Sequence, residues 1–279
     1  MVIARTVAEL RLAVVAARKA GKTIGFVPTM GCLHVGHLAL VDLARREATC
    51  CVVSIFVNPS QFGPKEDFSK YPRPFEEDCR LCEARGVDII FAPGVDFYPA
   101  EHSTWVSEEA VSQGLCGECR PGHFRGVATV VLKLFNSCLP DVAIFGRKDF
   151  QQLAVIRRMV RDLDVPVRIV AAPTEREADG LAISSRNRYL SPEHRARARV
   201  ISEVLRRAQA LVVAGECHAA TLLSAASRQL SDEPAFRLQY IAIIDAQTLR
   251  PVQKVTHGSS VMAVAGFLGE TRLIDNVDL

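Results

Sequence analysis

"FVPTMGCLHVGHLALVDLARREA", Phe26 to Ala48, runs from a short apolar strand through Pro, Thr, Met and Gly into a segment with helical periodicity. A strand that feeds a helix through a tight turn is the building unit of a parallel sheet covered by helices. At the turn, His34 and His37 frame Gly36. A helix start exposes unpaired N–H groups and the positive end of the macrodipole, so phosphate can bind there. Glycine lets the backbone approach closely, and two imidazole donors can stabilise charge building on a phosphorus centre. The expectation is a nucleotide-phosphate site, in preference to histidines that only cap or pack.

The flanking sequence extends this unit. "TVAELRLAVVAARKAG" reads as a helix with a Thr6–Glu9 capping box and a stop at Gly21. "TIGFV" and "CCVVSIFV" are apolar runs suited to buried parallel strands. The helix "PFEEDCRLCEARG", the strand "VDIIFAP", a helix through "VATVVLKLFNSC", the strand "DVAIFG", the helix "DFQQLAVIRRMVRDL" and the strand "VPVRIVAAP" follow in turn. This alternation predicts an α/β fold, a parallel sheet with helices on both faces. Ligands in such sheets sit beyond the carboxyl ends of the strands. "PTMGCLHVGH", "NPSQF" and "GRKD" all follow strands.

After about residue 173 the pattern changes. "PTEREADGLAISSRN" is polar, and "SPEHRARARVISEVLRRAQALVVAG" predicts one long helix with Ser191 as N-cap, Pro192 as its first residue and Gly215 as its stop. A second helix and the strand-like "FRLQYIAIID", "SSVMAVAGFL" and "TRLIDNV" complete the chain. The expected organisation is a larger domain over residues 1–174 and a smaller α+β domain with antiparallel strands over residues 175–279.

The 279 residues carry a net charge of +3, too small to make nucleic acid or an anionic membrane the main partner. No run approaches the ~20 apolar residues of a membrane helix, and "MVIARTVAEL" lacks the order of a signal peptide. The expected location is the cytoplasm, where nine cysteines stay reduced. Cys79-x-x-Cys82 and Cys116-x-x-Cys119 have zinc-like spacing. The first pair falls inside a continuous helix, so buried or loop thiols are the better expectation.

Further polar groups cluster at strand ends. Lys148 offers phosphate a point charge, and Asp149 an acceptor for a ribose hydroxyl or a helix N-cap. Ser184, Ser185 and Arg186 suit a segment closing over a triphosphate. Asn58 and Gln61, beside Phe56 and Phe62, fit a small polar substrate with an aliphatic body or, equally, an Asn-Pro turn. Arg120, His123 and Arg125 are each able to hold a carboxylate, and site and scaffold are not separable there by sequence. The arginines of "HRARARVISEVLRR" read as a solvated helix face.

Six segments in order, "PTMGCLHVGH", "SIFVNPSQF", "YPRPFEEDC", "RPGHFRGVATVVLKLFN", "GRKDFQQL" and "READGLAISSRNRYLS", resemble the pantothenate synthetase (pantoate–β-alanine ligase) family. The two-histidine HxGH motif alone marks the wider nucleotidyltransferase superfamily. The resemblance implies a Rossmann-like domain, a smaller lid domain, a homodimer, and ATP with Mg²⁺ but no confident protein ligand for the metal. It implies a ligase that joins pantoate to β-alanine through pantoyl adenylate, releasing pyrophosphate and AMP. His37, His34, Lys148 and Arg186 would be the catalytic groups. Met30, Gly31, Cys32, Leu33, His34, Val35, Gly36 and His37, then Gly146, Arg147, Lys148 and Asp149, then Glu175 with Ile183, Ser184, Ser185 and Arg186, would line the ATP site. Gln61 and Gln152 would bind pantoate, and Gln61 also β-alanine. Arg147 stands where the family usually has Glu, and Glu175 where it often has Val.

Overall fold

The computed structural model describes residues 1–279 apart from Lys65, and divides the chain into two compact units. One comprises Met1–Arg147 with Gln152–Pro173, the other Lys148–Gln151 with Thr174–Leu279.

The first unit opens with β1 (Val2–Ala4), α1 (Val7–Lys19), β2 (Ile24–Thr29), α2 (Val35–Glu47) and β3 (Cys50–Ile55). It continues through α3 (Phe75–Ala84), β4 (Ile89–Phe91), α4 (Leu115–Cys119), α5 (His123–Cys138) and β5 (Val142–Gly146). The helix α6 (Phe150–Asp162) leads to β6 (Arg168–Ala172). The strands pair in parallel in the order β1-β4-β3-β2-β5-β6. Their apolar runs face helices on both sides, so β3 is buried along nearly its whole length. Core side chains include Phe26, Val27, Val53, Ile90 and Ile144, and Phe26 meets Phe135 edge-on at 6.3 Å. Because β2 has β3 on one side and β5 on the other, the strand order reverses there. In open parallel sheets, ligands sit at such a switch point, beyond the carboxyl ends of the strands, here those of β2 and β5.

The expected capping box is present: Glu9 N–H donates to Thr6 Oγ1 at 3.2 Å, and Thr6 N–H to Glu9 Oε2 at 3.1 Å. β1 has no counterpart in the sequence reading. With three residues and only Ala4 buried, it carries no readable period and owes its conformation to pairing with β4.

The second unit contains α7 (Pro192–Arg197), α8 (Val200–Val213), α9 (Ala219–Ser231), β7 (Phe236–Asp245), β8 (Ser260–Leu268) and β9 (Thr271–Asp278). The strands form an antiparallel sheet in sequence order. Ile201, Leu205, Leu222, Leu230, Met262 and Val264 form its core.

The single long helix expected from Ser191 onward is instead two helices. Ala198 and Arg199 keep right-handed backbone angles, but Ile201 N–H bonds to Ala198 O, an i→i+3 step that tightens the chain between α7 and α8. The arginine face is solvated as expected at Arg199, Arg206 and Arg207, and half-buried at two positions. Arg195 is forked onto Asp179 (2.7 and 3.1 Å) and reaches Glu177, while Arg197 pairs with Glu233 at 2.7 Å.

Candidate active site

In the first unit, β2 ends in a loop that is bound to the sheet before it becomes a helix. Thr29 Oγ1 donates to Ser54 O at 2.7 Å and accepts Gly31 N–H at 3.0 Å. Gly31 then takes φ 80° and Cys32 φ 51°, both in the left-handed region. A Cβ on Gly31 would stand 2.9 Å from both Asp78 Oδ2 and Ile55 Cγ2, so a side chain has neither the angle nor the space. The reversal turns two amides inward. Cys32 N–H donates to Asp78 Oδ2 at 2.8 Å and Leu33 N–H to Asp78 Oδ1 at 2.7 Å. Asp78 is 1% exposed, and the two amides compensate its loss of water.

α2 therefore starts at a fixed point. His34 occupies its N-cap position, no acidic side chain sits in its first turn, and the His34 and His37 rings stack at 4.0 Å with 27° between planes. The positive helix end, the exposed Val35, the half-buried Gly36 and both imidazoles form one surface. Cys32 and Leu33 are buried, and both side chains and amides belong to the scaffold.

Gln61 ends the short 3-10 turn Pro59–Gln61 and is nearly buried. Its Oε1 accepts Asn58 Nδ2 at 3.0 Å, and its Nε2 donates to Met30 Sδ at 3.1 Å. A thioether is a weak acceptor, so that N–H is readily transferred to a better one. Asn58 is consumed by structure: Nδ2 also reaches Gly126 O, and Oδ1 accepts Ser60 N–H and Oγ–H. The turn lies directly on α5, where a Cβ at Gly126 would be 2.3 Å from Ser60 O and 2.7 Å from Gln61 N.

Arg120 and His123 resolve as scaffold. Arg120 forks onto Glu66 at 2.6 and 2.7 Å and donates to His123 Nε2 at 2.9 Å. Arginine has no acceptor, so Nε2 carries a lone pair, and Nδ1–H donates to Gln61 O at 2.8 Å. Arg125 lies over the Trp105 ring at 4.7 Å. Gly146 closes β5, and Arg147 follows it. Arg157 is lowered from its ordinary value by desolvation and then by the charge of Arg147. Gln152 is half-buried on α6.

In the second unit, Lys148 and Asp149 complete a 3-10 turn, with Nζ 3.8 Å from Asp149 Oδ2. Lys148 O accepts Asn276 Nδ2 at 2.9 Å. Glu175 O accepts Ile183 N–H at 3.0 Å, and Arg176 bridges Ala182, so the two segments form a small hairpin. Ser184 caps the Ser185–Tyr189 turn by accepting Arg186 N–H at 3.3 Å; Ser185 is buried, and Arg186 is half-buried.

Cys79 and Cys82 lie on α3, with Cys82 buried and its thiol pushed up to about 12, chiefly by desolvation. That is the reverse of what a thiolate ligand requires. Among the described residues, no group of three His, Cys, Asp or Glu is placed to hold a metal ion. Among the described residues, no helix is long and apolar enough to cross a membrane.

Asp78, Gly126 and Asn276 were missed by sequence reasoning. Asp78 had a signal: it stands four residues before the buried Cys82, on the apolar stripe of α3.

The family model described as pantoate-beta-alanine ligase matches residues 2–278. The chain belongs to the pantoate–β-alanine ligase family. It is 55% identical to pantothenate synthetase 1 of Bradyrhizobium diazoefficiens, covering 100% of this chain and 98% of that one. It is 51% identical to pantothenate synthetase of Moorella thermoacetica, covering 100% and 99%. The crystal structure of pantothenate synthetase from Thermus thermophilus superposes with a TM-score of 0.95 at 49% identity over 100% of this chain and 99% of that one. Pantoate-beta-alanine ligase from Francisella tularensis, solved with beta-gamma ATP and beta-alanine, superposes with a TM-score of 0.82 at 32% identity over 100% and 97%.

Proposed function

We propose that this chain condenses pantoate with β-alanine, using ATP and passing through pantoyl adenylate. The observation that carries the reading is the Asp78-held loop, which delivers two stacked imidazoles and a helix N-terminus at the switch point of a parallel sheet. In the first step a pantoate carboxylate oxygen bonds to the α-phosphorus of ATP. The bond from that phosphorus to the bridging oxygen breaks, and its electron pair leaves with pyrophosphate. A carboxylate is already ionised at neutral pH, so no general base is required. In the second step the β-alanine amine attacks the acyl carbon, AMP departs, and the amine proton passes to solvent.

The protein's task is to neutralise phosphate charge and align reactants. His34 and His37 contact the phosphates, and Lys148 bridges phosphate oxygens. Ser184, Ser185 and Arg186 hold the leaving pyrophosphate. The ATP surface comprises Met30–His37, Gly146–Asp149, Glu175 and Ile183–Arg186. Within it, Cys32 and Leu33 serve through loop shape, and Glu175 through backbone, so its carboxylate is tolerated. Gln61 exchanges its bond to Met30 Sδ for a pantoate oxygen and stands beside β-alanine; Gln152 is the second pantoate group.

Mg²⁺ would accompany ATP as its complex. As a hard cation suited to phosphate and water oxygens, it would shield the triphosphate charge that Lys148 and the histidines also meet. Residues 1–174 carry the histidines and both glutamines, and residues 175–279 form the smaller domain bearing Ser184–Arg186. A homodimer, which the family resemblance implies, and a cytoplasmic location complete the proposal. The test is product analysis: ATP, pantoate and β-alanine together are expected to yield AMP and pantothenate in equal amounts. AMP release without either organic substrate would overturn the reading.

A further inference from the structure

We propose that Asn276, backed by Asp275 and Arg176, is the positioning residue for Lys148, and that β9 holds the Lys148 turn and the Ser184–Arg186 segment in one frame. The inference rests on the reading of Lys148 as a phosphate-binding group. Lysine is a point charge on a flexible stem, so where its ammonium sits depends on where its backbone is held. Lys148 lies in a three-residue 3-10 turn, too short to fix itself by its own hydrogen-bond ladder. Its carbonyl is pinned from 128 residues away, by Asn276 Nδ2 at 2.9 Å.

Asn276 in turn has little freedom. It is 7% exposed, and its register opposite Ala263 is set by the β8–β9 ladder. Its N–H donates to Asp275 Oδ1 at 2.8 Å. Asp275, 3% exposed, receives the Arg176 guanidinium as a fork at 2.6 and 2.9 Å. Arg176 also donates to Gly180 O at 3.0 Å and Asn276 O at 3.4 Å. A bidentate pair of this kind, half-buried at Arg176 and buried at Asp275, is directional, and removing the guanidinium strands a buried carboxylate.

The same guanidinium belongs to the hairpin that leads to the second phosphate segment. Arg176 bridges Ala182, Ile183 N–H bonds to Glu175 O, and Asn187 Nδ2 reaches both Ala182 O (3.1 Å) and Glu177 Oε1 (3.2 Å). β9 packs against the Ser185–Tyr189 turn. Two consecutive residues of one strand therefore support the segments that carry Lys148 and Arg186, the two cations assigned to the triphosphate. Donors held before the reaction need no reorganisation as charge develops.

The test compares Asn276→Ala and Asn276→Asp with the parent chain. Aspartate keeps the volume and removes the donor, and thermal unfolding of both variants separates a lost position from a lost fold. Pantoate-dependent pyrophosphate exchange is expected to fall roughly tenfold to a hundredfold in both, as displacement of a charge-stabilising group by about 1 Å does. Reaction of preformed pantoyl adenylate with β-alanine is expected to stay within about twofold, because pyrophosphate has already left. ATP affinity, measured by equilibrium binding, is then compared in a Lys148→Ala background. There Asn276→Ala is expected to add less than about a twofold change, since the group it positions is gone. Equal loss in both half-reactions, or the full Asn276→Ala effect persisting without Lys148, overturns the proposal. Normal exchange in Lys148→Ala alone overturns the reading of Lys148 itself, and the proposal with it.

Discussion

Asp78 Oδ1 accepts the Leu33 N–H at 2.7 Å, joining helix α3 to the loop that precedes the two histidines. With the matching bond from Cys32, one buried carboxylate holds a left-handed turn that the backbone would otherwise adopt at a cost. Asp78→Ala strands both amides, and the expected loss is about 2–4 kcal/mol of stability. Adenylate formation is expected to fall at least tenfold, with Asp78→Asn intermediate in both respects because it keeps one acceptor. Thermal unfolding and pyrophosphate exchange check this. A stable Asp78→Ala with unchanged exchange would remove the carboxylate from the account.

Gly126 sets the place of Gln61 by bringing α5 against the turn that carries it. In Gly126→Ala the new Cβ meets Ser60 O at 2.3 Å, and backbone must move. The expected outcome is a rise of roughly tenfold in the KM for pantoate, with a smaller effect on the KM for ATP. Steady-state kinetics with each substrate varied decides it; equal rises in both would indicate a general packing defect.

Gln152→Ala is expected to weaken pantoate by roughly tenfold while leaving the rate at saturating pantoate within a few-fold, the pattern of lost uniform binding. An unchanged pantoate KM contradicts its role.

Glu66 supports the same turn through Arg120 and His123, and this gives the structure an acid limit. Burial acts to raise its carboxyl. The hydrogen bonds and charge of Arg120, with the Gly63 N–H, outweigh that and bring it to about 2 from an ordinary 4.5. A value depressed on folding contributes stability above the unfolded value, which is lost as pH falls through the folded one. The difference in unfolding temperature between the parent chain and Glu66→Gln is therefore expected to be full at neutral pH. It is expected to shrink below about 4.5 and vanish near 2. A difference independent of pH would show that the pair acts by shape alone.

The sheet was legible because its strands are uninterrupted apolar runs with buried faces, as Cys50–Ile55 and Val142–Gly146 are. So were the Thr6–Glu9 cap and the histidine-bearing helix start, which depend on neighbours a few residues apart. β1 escaped because its conformation comes from β4, 87 positions along the chain at Val2↔Ile89. The break between α7 and α8 escaped because Ala198 and Arg199 remain helical in their angles. The supports of the candidate site were illegible for the same physical reason. Asp78 looks like first-turn acid in "FEEDC", and nothing near Asn276 announces a bond to Lys148. Arg120 and His123 carry chemistry-bearing side chains, yet Glu66 and a backbone carbonyl occupy them.

The central claim is that a carboxylate attacks the α-phosphorus before the amine is involved. Exchange of labelled pyrophosphate into ATP with pantoate present and β-alanine absent measures that step alone. The account predicts exchange that requires pantoate and falls sharply in His37→Ala and Lys148→Ala. Exchange that appears only when β-alanine is added, or release of ADP and phosphate in its place, would contradict it.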